Sequence, residues 1–234
     1  MTKNKPLTSL KIAGIVLLNL IIQSCHSQNF DLATLKLPVP ESSITSKFKL
    51  EDDKFLVANL SQYSSLEKEA LYFGGKSLYG SIDNSPTTSY LANGVKFFID
   101  QKTKQIEAYR LGIKTTAETE KLVKVLEAKL GKTFYYYKDP DMSFRIWELN
   151  GITYFLEVNS TTVYNGEHTV SSDLHVVNNK AETFYNYIMA GGFGYYADYL
   201  NAKKKSTKKV YTYNDFLNEM KAEGSDYYLK KLVR

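Results

Sequence analysis

Ser143-Phe-Arg-Ile-Trp-Glu-Leu149, then Asn150-Gly151, then Ile152-Thr-Tyr-Phe-Leu-Glu-Val158 is the stretch whose reading decides the fold. Two runs rich in aromatic and β-branched residues flank an Asn-Gly pair, which favours the type I′ turn whose twist matches that of paired strands. A two-residue turn fixes the register. Leu149 is expected opposite Ile152, Trp147 opposite Tyr154, and Arg145 opposite Leu156. Side chains alternate along a strand, so Trp147, Leu149, Ile152, Tyr154, Leu156 and Val158 share one face. That face is expected to pack against a helix over residues 117–130, where Leu122, Val125, Leu126 and Leu130 mark one stripe. Thr115-Thr-Ala-Glu118 has capping-box spacing at the start of this helix, and Gly131 ends it.

Working outward, Gly94-Val-Lys-Phe-Phe-Ile99 and Gln105-Ile-Glu-Ala-Tyr-Arg-Leu111 flank a polar loop and form a second hairpin. Thr161 to Tyr164 and Glu167 to Val170 surround another Asn-Gly, Asn165-Gly166, and Asp173 to Val177 is a further strand. Residues 143–177 therefore read as an antiparallel meander. Upstream, Ser64-Ser-Leu-Glu67 has capping-box spacing and Gly74-Gly75 reads as a stop, so Ser65–Phe73 is expected to be a short helix. Leu78–Tyr90 is loop-like. Downstream, helices are expected over Glu182–Ala190, Tyr195–Ala202 and Thr212–Glu223, with Gly191-Gly-Phe-Gly194 as a break and a last turn over Asp226–Leu232. In the third helix Phe216, Leu217 and Met220 face inward. Strands joined by short turns pair antiparallel, so the fold class is α+β: an antiparallel sheet of hairpins packed with helices, closing in a C-terminal helical segment.

The start of the chain is an address. Lys3, Lys5 and Lys11 precede any acid, and Ile12 to Ile22 is apolar apart from Gly14 and Asn19. Eleven helical residues span about 16 Å, roughly half a bilayer core, which suits a signal-peptide h-region and not a membrane span. The run ends in Ile22-Gln23-Ser24-Cys25, which resembles the lipobox of bacterial lipoproteins, with Gln23 standing off the usual small residue. The resemblance implies removal of residues 1–24, acyl chains on Cys25 and a lasting membrane anchor. Cys25 is the single cysteine of the 234 residues, so no internal disulfide competes for it. Residues 25–45 are expected to be a tether, 46–200 the α+β domain and 201–234 a basic helical segment. The first acid after the cysteine is Asp31, which favours the periplasmic face of the outer membrane. A helix ending at Leu130-Gly-Lys132 and followed by a Trp-bearing hairpin also resembles, loosely, the small αββ modules of envelope-assembly and inhibitor lipoproteins and of bacterial immunity proteins.

Charge is uneven: residues 201–234 hold nine basic and four acidic residues, while the whole precursor is +5. Lys203–Lys209 contains five lysines. In an exported protein this run reads as a solvated linker, with an anionic membrane surface as the alternative, and nucleic acid is not expected. Nineteen tyrosines suit sheet surfaces, wet interfaces and sugar stacking. Glu167, His168, Asp173 and His175 lie close in sequence, and Asp173 and His175 share a strand face, but the spacing lacks the signature of a zinc site. They read as a polar strand surface. Glu51-Asp52-Asp53 and Asp139-Pro-Asp141 are paired acids of the turn-forming kind, and no nucleophile motif is present. The expectation is a membrane-anchored, noncatalytic protein-binding or inhibitor-type module without metal or cofactor, with Trp147, Tyr154, His168, Asp173 and His175 as candidate contacts. The alternative is a glycan-binding or glycan-cleaving envelope protein, with Trp147 and tyrosines stacking on sugars.

Overall fold

The computed structural model describes residues 30–82, 91–164 and 166–225. Its strands are β1 (Val39–Pro40), β2 (Glu51–Val57), β3 (Leu60–Ser65), β4 (Tyr72–Phe73), β5 (Lys76–Ser77), β6 (Ser81–Ile82), β7 (Leu91–Ala92), β8 (Gly94–Asp100), β9 (Gln105–Ile113), β10 (Tyr135–Lys138), β11 (Met142–Leu149), β12 (Ile152–Tyr164) and β13 (Glu167–Asn178). The helices are α1 (Ser42–Thr45), α2 (Thr116–Leu130), α3 (Glu182–Ala190), α4 (Gly194–Lys205) and α5 (Tyr213–Ala222). One sheet runs β10-β11-β12-β13-β9-β8-β3-β2, with β1 beside β9 and every pairing antiparallel. The α+β expectation holds.

The Asn150-Gly151 hairpin has the expected register, with Leu149 against Ile152, Trp147 against Tyr154 and Arg145 against Leu156. Asn150 and Gly151 both take the positive φ of a type I′ turn. The hairpin expected over 161–170 and the strand expected over 173–177 merge into the same long β12 and β13, with a register shift between Asn159 and Thr162. β13 meets β9 only over Ser172–Val177. Beyond that, the β12–β13 hairpin continues as a two-stranded ribbon whose strand partners are each other. Asn165 lies outside the described residues.

Helices pack on both faces of the sheet. On the first, α2 turns Leu122 and Leu126 inward, and Trp147, Leu156, Leu174, Tyr109, Leu111, Val95 and Phe97 fill the interior. The Trp147 indole N–H donates to the Gly131 carbonyl at 3.0 Å, which ties the hairpin to the end of the helix as the pattern requires. Leu149, at the strand tip, is 48% exposed. On the second face, α3, α4 and α5 cover Phe98, Ala108, Val177, Phe155 and Ile146, adding Phe184, Ile188, Tyr196, Tyr199, Phe216 and Leu217. The 201–234 stretch therefore supplies core residues instead of standing apart. α5 begins at a capping box: the Thr212 hydroxyl accepts from the Asp215 N–H and the Asp215 carboxylate accepts from the Thr212 N–H. The Thr115 hydroxyl does not cap α2; it donates to the Glu118 carboxylate at 2.5 Å.

Two further expectations are corrected. Residues 65–73 are not a helix. Leu60–Ser65 is a strand whose Ser61–Ser65 pair with β8, and after a single 3-10 turn at Lys68–Ala70 the chain forms the β4–β5 hairpin around Gly74-Gly75. Both glycines have positive φ, which serves a tight hairpin turn as readily as a helix stop. The tether does not extend to residue 45. Leu32, Leu37 and Ile44 are buried, and Asp31 onward belongs to the folded unit. The Asp31 carboxylate accepts from the Ala33, Gly74 and Gly75 N–H groups at 2.7–2.9 Å. Residues 83–90 and the last turn expected over 226–232 lie outside the described residues.

Candidate functional site

The second sheet face is covered by helices over one half. The other half carries charge, because the register places polar residues in adjacent positions. Asp173 lies beside Glu157 and Gly112, His175 beside Phe155 and Arg110, and Arg110 beside Lys96. Arg110 donates through Nε to Asp173 at 2.8 Å and its second nitrogen lies 2.7 Å from the same oxygen. Asp53 accepts from the Gln62 amide, from the Ser64 hydroxyl at 2.6 Å and from Lys96 at 3.2 Å. Burial raises the Asp53 carboxyl, but Ser64, Gln62 and Lys96 hold it below its ordinary value. Glu157 is raised, first by burial and then by the neighbouring Asp173, against the pull of Arg110 and Lys114. Burial, then Arg110, pulls His175 down to about 4, with Asp173 opposing. The imidazole is therefore neutral at neutral pH.

The candidate contacts read from the sequence are scattered. Asp173 and His175 do share this face. His168 is exposed on the ribbon, opposite Val163 and five residues from Asp173, roughly 16 Å along the strand. Among the described residues no three metal-ligating side chains converge. Trp147 is 2% exposed with its N–H engaged, so it offers no stacking surface. Tyr154 is half-buried on the same, helix-covered face.

A second feature has a different character. Between the end of α2, the edge strand β10 and the start of α5 lies an open cleft of about 980 Å³. Tyr135, Tyr136, Tyr199, Tyr211 and Tyr213 line it, with Phe134, which is 50% exposed. The rings brace one another: Tyr213 meets Tyr135 and Tyr199 edge-on at centroid separations of 5.4 and 5.2 Å. The Tyr199 hydroxyl donates to the Tyr211 carbonyl at 3.1 Å. Burial, then Asp198 and Tyr195, raises the Tyr213 phenol. Arg145 lies 4.6 Å over the Tyr136 ring and pairs with Glu127 at 3.0 Å. Among the described residues Arg145 Nε and the Tyr213 hydroxyl are buried without a hydrogen-bond partner, and both residues line the cleft.

The lysine run is not uniformly solvated. Lys203 lies on the cleft wall, 5.6 Å over the Tyr199 ring. Lys208 bonds Asp215 at 3.3 Å and Glu219 at 3.0 Å, bracing the entry to α5. Sequence reasoning placed the aromatics on the sheet and missed this cleft. Its walls come from residues 127–145 and 199–217, which no local pattern brings together. The density of tyrosine around 195–213 was the available signal. Comparison with protein-family models, with characterised proteins and with solved structures gives no match, so the cleft and the charged face rest on geometry alone.

Proposed function

We propose that this protein is a lipid-anchored, noncatalytic binding module of the cell envelope that receives its ligand in the tyrosine cleft. The observation that carries the binding role is that Arg145 and Tyr213, which both line one aromatic cleft, each hold a buried polar atom, Nε and the phenol oxygen, without a hydrogen-bond partner among the described residues. An unpaired buried polar group costs about 1–3 kcal/mol, and such groups call for an explanation in function. On the sheet face, by contrast, Asp53 and Asp173 are already bonded to neighbouring cations. The test places a photo-crosslinking residue at Val210, on the exposed cleft rim, or at Tyr187, an exposed helix position away from it, in the full-length protein in its own cells. Adducts at 210 and none at 187 are expected. Equal capture at both positions, or none at 210, removes the cleft as the site.

The anchor is supported by the basic leader, the short apolar run and Cys25. No helix among the described residues is long and apolar enough to cross a membrane. The envelope location rests on that lipid, and the periplasmic side of the outer membrane on Asp31 being the first acid after Cys25. Cys25→Ala should abolish palmitate labelling and release the protein from the membrane fraction; unchanged labelling overturns the anchor.

One observation favours a second reading, cleavage of a glycan. Glu157 and Asp173 are neighbours on adjacent strands, the first held up by burial and the second ion-paired to Arg110. That division suits an acid and an ionised partner. A wild-type protein that releases no reducing ends from cell-wall glycan ends this reading. Activity that Glu157→Gln abolishes establishes it.

The partner expected from sequence is a protein. The charge and ring content of the cleft favour a different ligand.

A further inference from the structure

We infer that the tyrosine cleft takes an acidic saccharide, a short run of pyranose units carrying carboxylate, sulfate or phosphate groups. This rests on the cleft being the binding site and adds the class of ligand.

Charge is the first argument. Among the described residues the walls hold three cations, Lys132, Arg145 and Lys203, against one carboxylate, Glu127. Glu127 is already paired with Arg145, which leaves the two lysines to act on whatever enters. Both are exposed, and among the described residues neither makes an ion pair. An anionic ligand is favoured and a cationic one repelled. The ring faces of Tyr136 and Tyr199 already carry Arg145 and Lys203, so the cleft cannot act as an aromatic cage for a quaternary ammonium group.

Wall composition is the second argument. Among the described residues the accessible walls are the rings of Phe134, Tyr136 and Tyr213 with Thr133, Thr212 and Asn214, while Tyr135, Tyr199 and Tyr211 are buried behind them and Val210 and Leu217 are aliphatic. A purely apolar ligand or a hydrophobic peptide anchor would leave these polar groups facing carbon. A pyranose presents C–H faces that pack on rings and a rim of hydroxyls that bond to such groups. The volume, about 980 Å³, is at the upper end for a small-ligand site and open enough for a short oligomer. The mutual bracing of Tyr135, Tyr199 and Tyr213 limits the ordering cost on binding.

The test titrates full-length protein in detergent with a galacturonic acid trimer, a sulfated heparin-derived tetrasaccharide, neutral maltotriose and adenosine monophosphate. Binding is read by saturation-transfer NMR. One or both acidic saccharides should bind at least about tenfold more tightly than maltotriose, which corresponds to about 1.4 kcal/mol. The preference should shrink as salt rises from about 50 to about 500 mM. Comparing the two acidic probes separates carboxylate from sulfate recognition. Lys203→Gln and Lys132→Gln, both at exposed positions, should each weaken binding about fivefold while leaving the unfolding midpoint in place. Maltotriose binding as tightly, or nucleotide binding more tightly, overturns the ligand class and leaves the cleft as a binding site. The same holds if no saccharide binds but a crosslinker at Val210 captures a protein. Failure of both saccharide binding and crosslinking removes the cleft reading altogether.

Discussion

At position 175 an imidazole sits in the middle of a sheet, with Phe155 on one neighbouring strand and Arg110 on the other. Burial and the guanidinium hold its folded-state value at about 4, against an ordinary value near 6.5. Between those values the unfolded chain binds more protons than the folded one. Stability from the neutral ring is therefore complete above pH 6.5 and is lost as pH falls toward 4. Urea unfolding at a series of pH values should show a decline of up to about 3 kcal/mol across this window. His175→Gln should flatten it, and a wild-type profile already flat there would show that the ring is freely solvated. That Asp173 and His175 share a face was readable from strand alternation. That Arg110 stands between them was not, because the bond spans 63 residues and only sheet assembly creates it. Asn93 is a similar case. It is fully buried, and its side chain bonds the Leu78 carbonyl, the Thr115 hydroxyl and the Lys114 N–H, yet nothing in its neighbours advertises a structural amide.

Among the elements, those with a local turn signal were legible. Asn150-Gly151 fixed the register of its hairpin, and the polar loop over residues 101–104 announced the β8–β9 pair. The misread element is instructive because its residues satisfy two descriptions. Ser64-Ser-Leu-Glu67 has the spacing of a helix cap, but Leu60–Ser65 is drawn into the sheet through pairing with β8, a long-range contact that outweighs a local motif. Gly74-Gly75 then makes a hairpin turn against α2. Substitution separates backbone conformation from packing. Gly75→Ala places a side chain at φ 75° in open space and should cost about 1 kcal/mol. Gly74→Ala, at φ 59°, also drives its new methyl group into Val125 of α2, and should cost about 3 kcal/mol. Chemical denaturation of the two variants measures the difference. Equal costs would mean that α2 yields freely at that contact.

For the unit from Asp31 onward, the governing fact is one sheet shared by two cores. Trp147, the single tryptophan of the chain, lies in the core under α2, whereas Tyr196, Tyr199 and Tyr211 lie in the core under α3–α5. Loss of either core strips one side of the same strands, so both should melt together. Tryptophan fluorescence, tyrosine near-UV dichroism and far-UV dichroism should give coincident transitions. Phe155→Ala, on the face covered by α3–α5, should lower all three by the same amount, about 3–5 kcal/mol. Separate midpoints would mean that the C-terminal helices form their own cooperative unit. The pairing of β13 with β9 over Ser172–Val177 alone also has a practical outcome. At the far end of the hairpin Thr162–Tyr164 pair with Glu167–Thr169 alone, and Val163 and His168 are exposed near the tip. A peptide epitope spliced in just before Glu167 should leave both hydrophobic layers undisturbed, giving antibodies a handle on the full-length protein without touching either terminus.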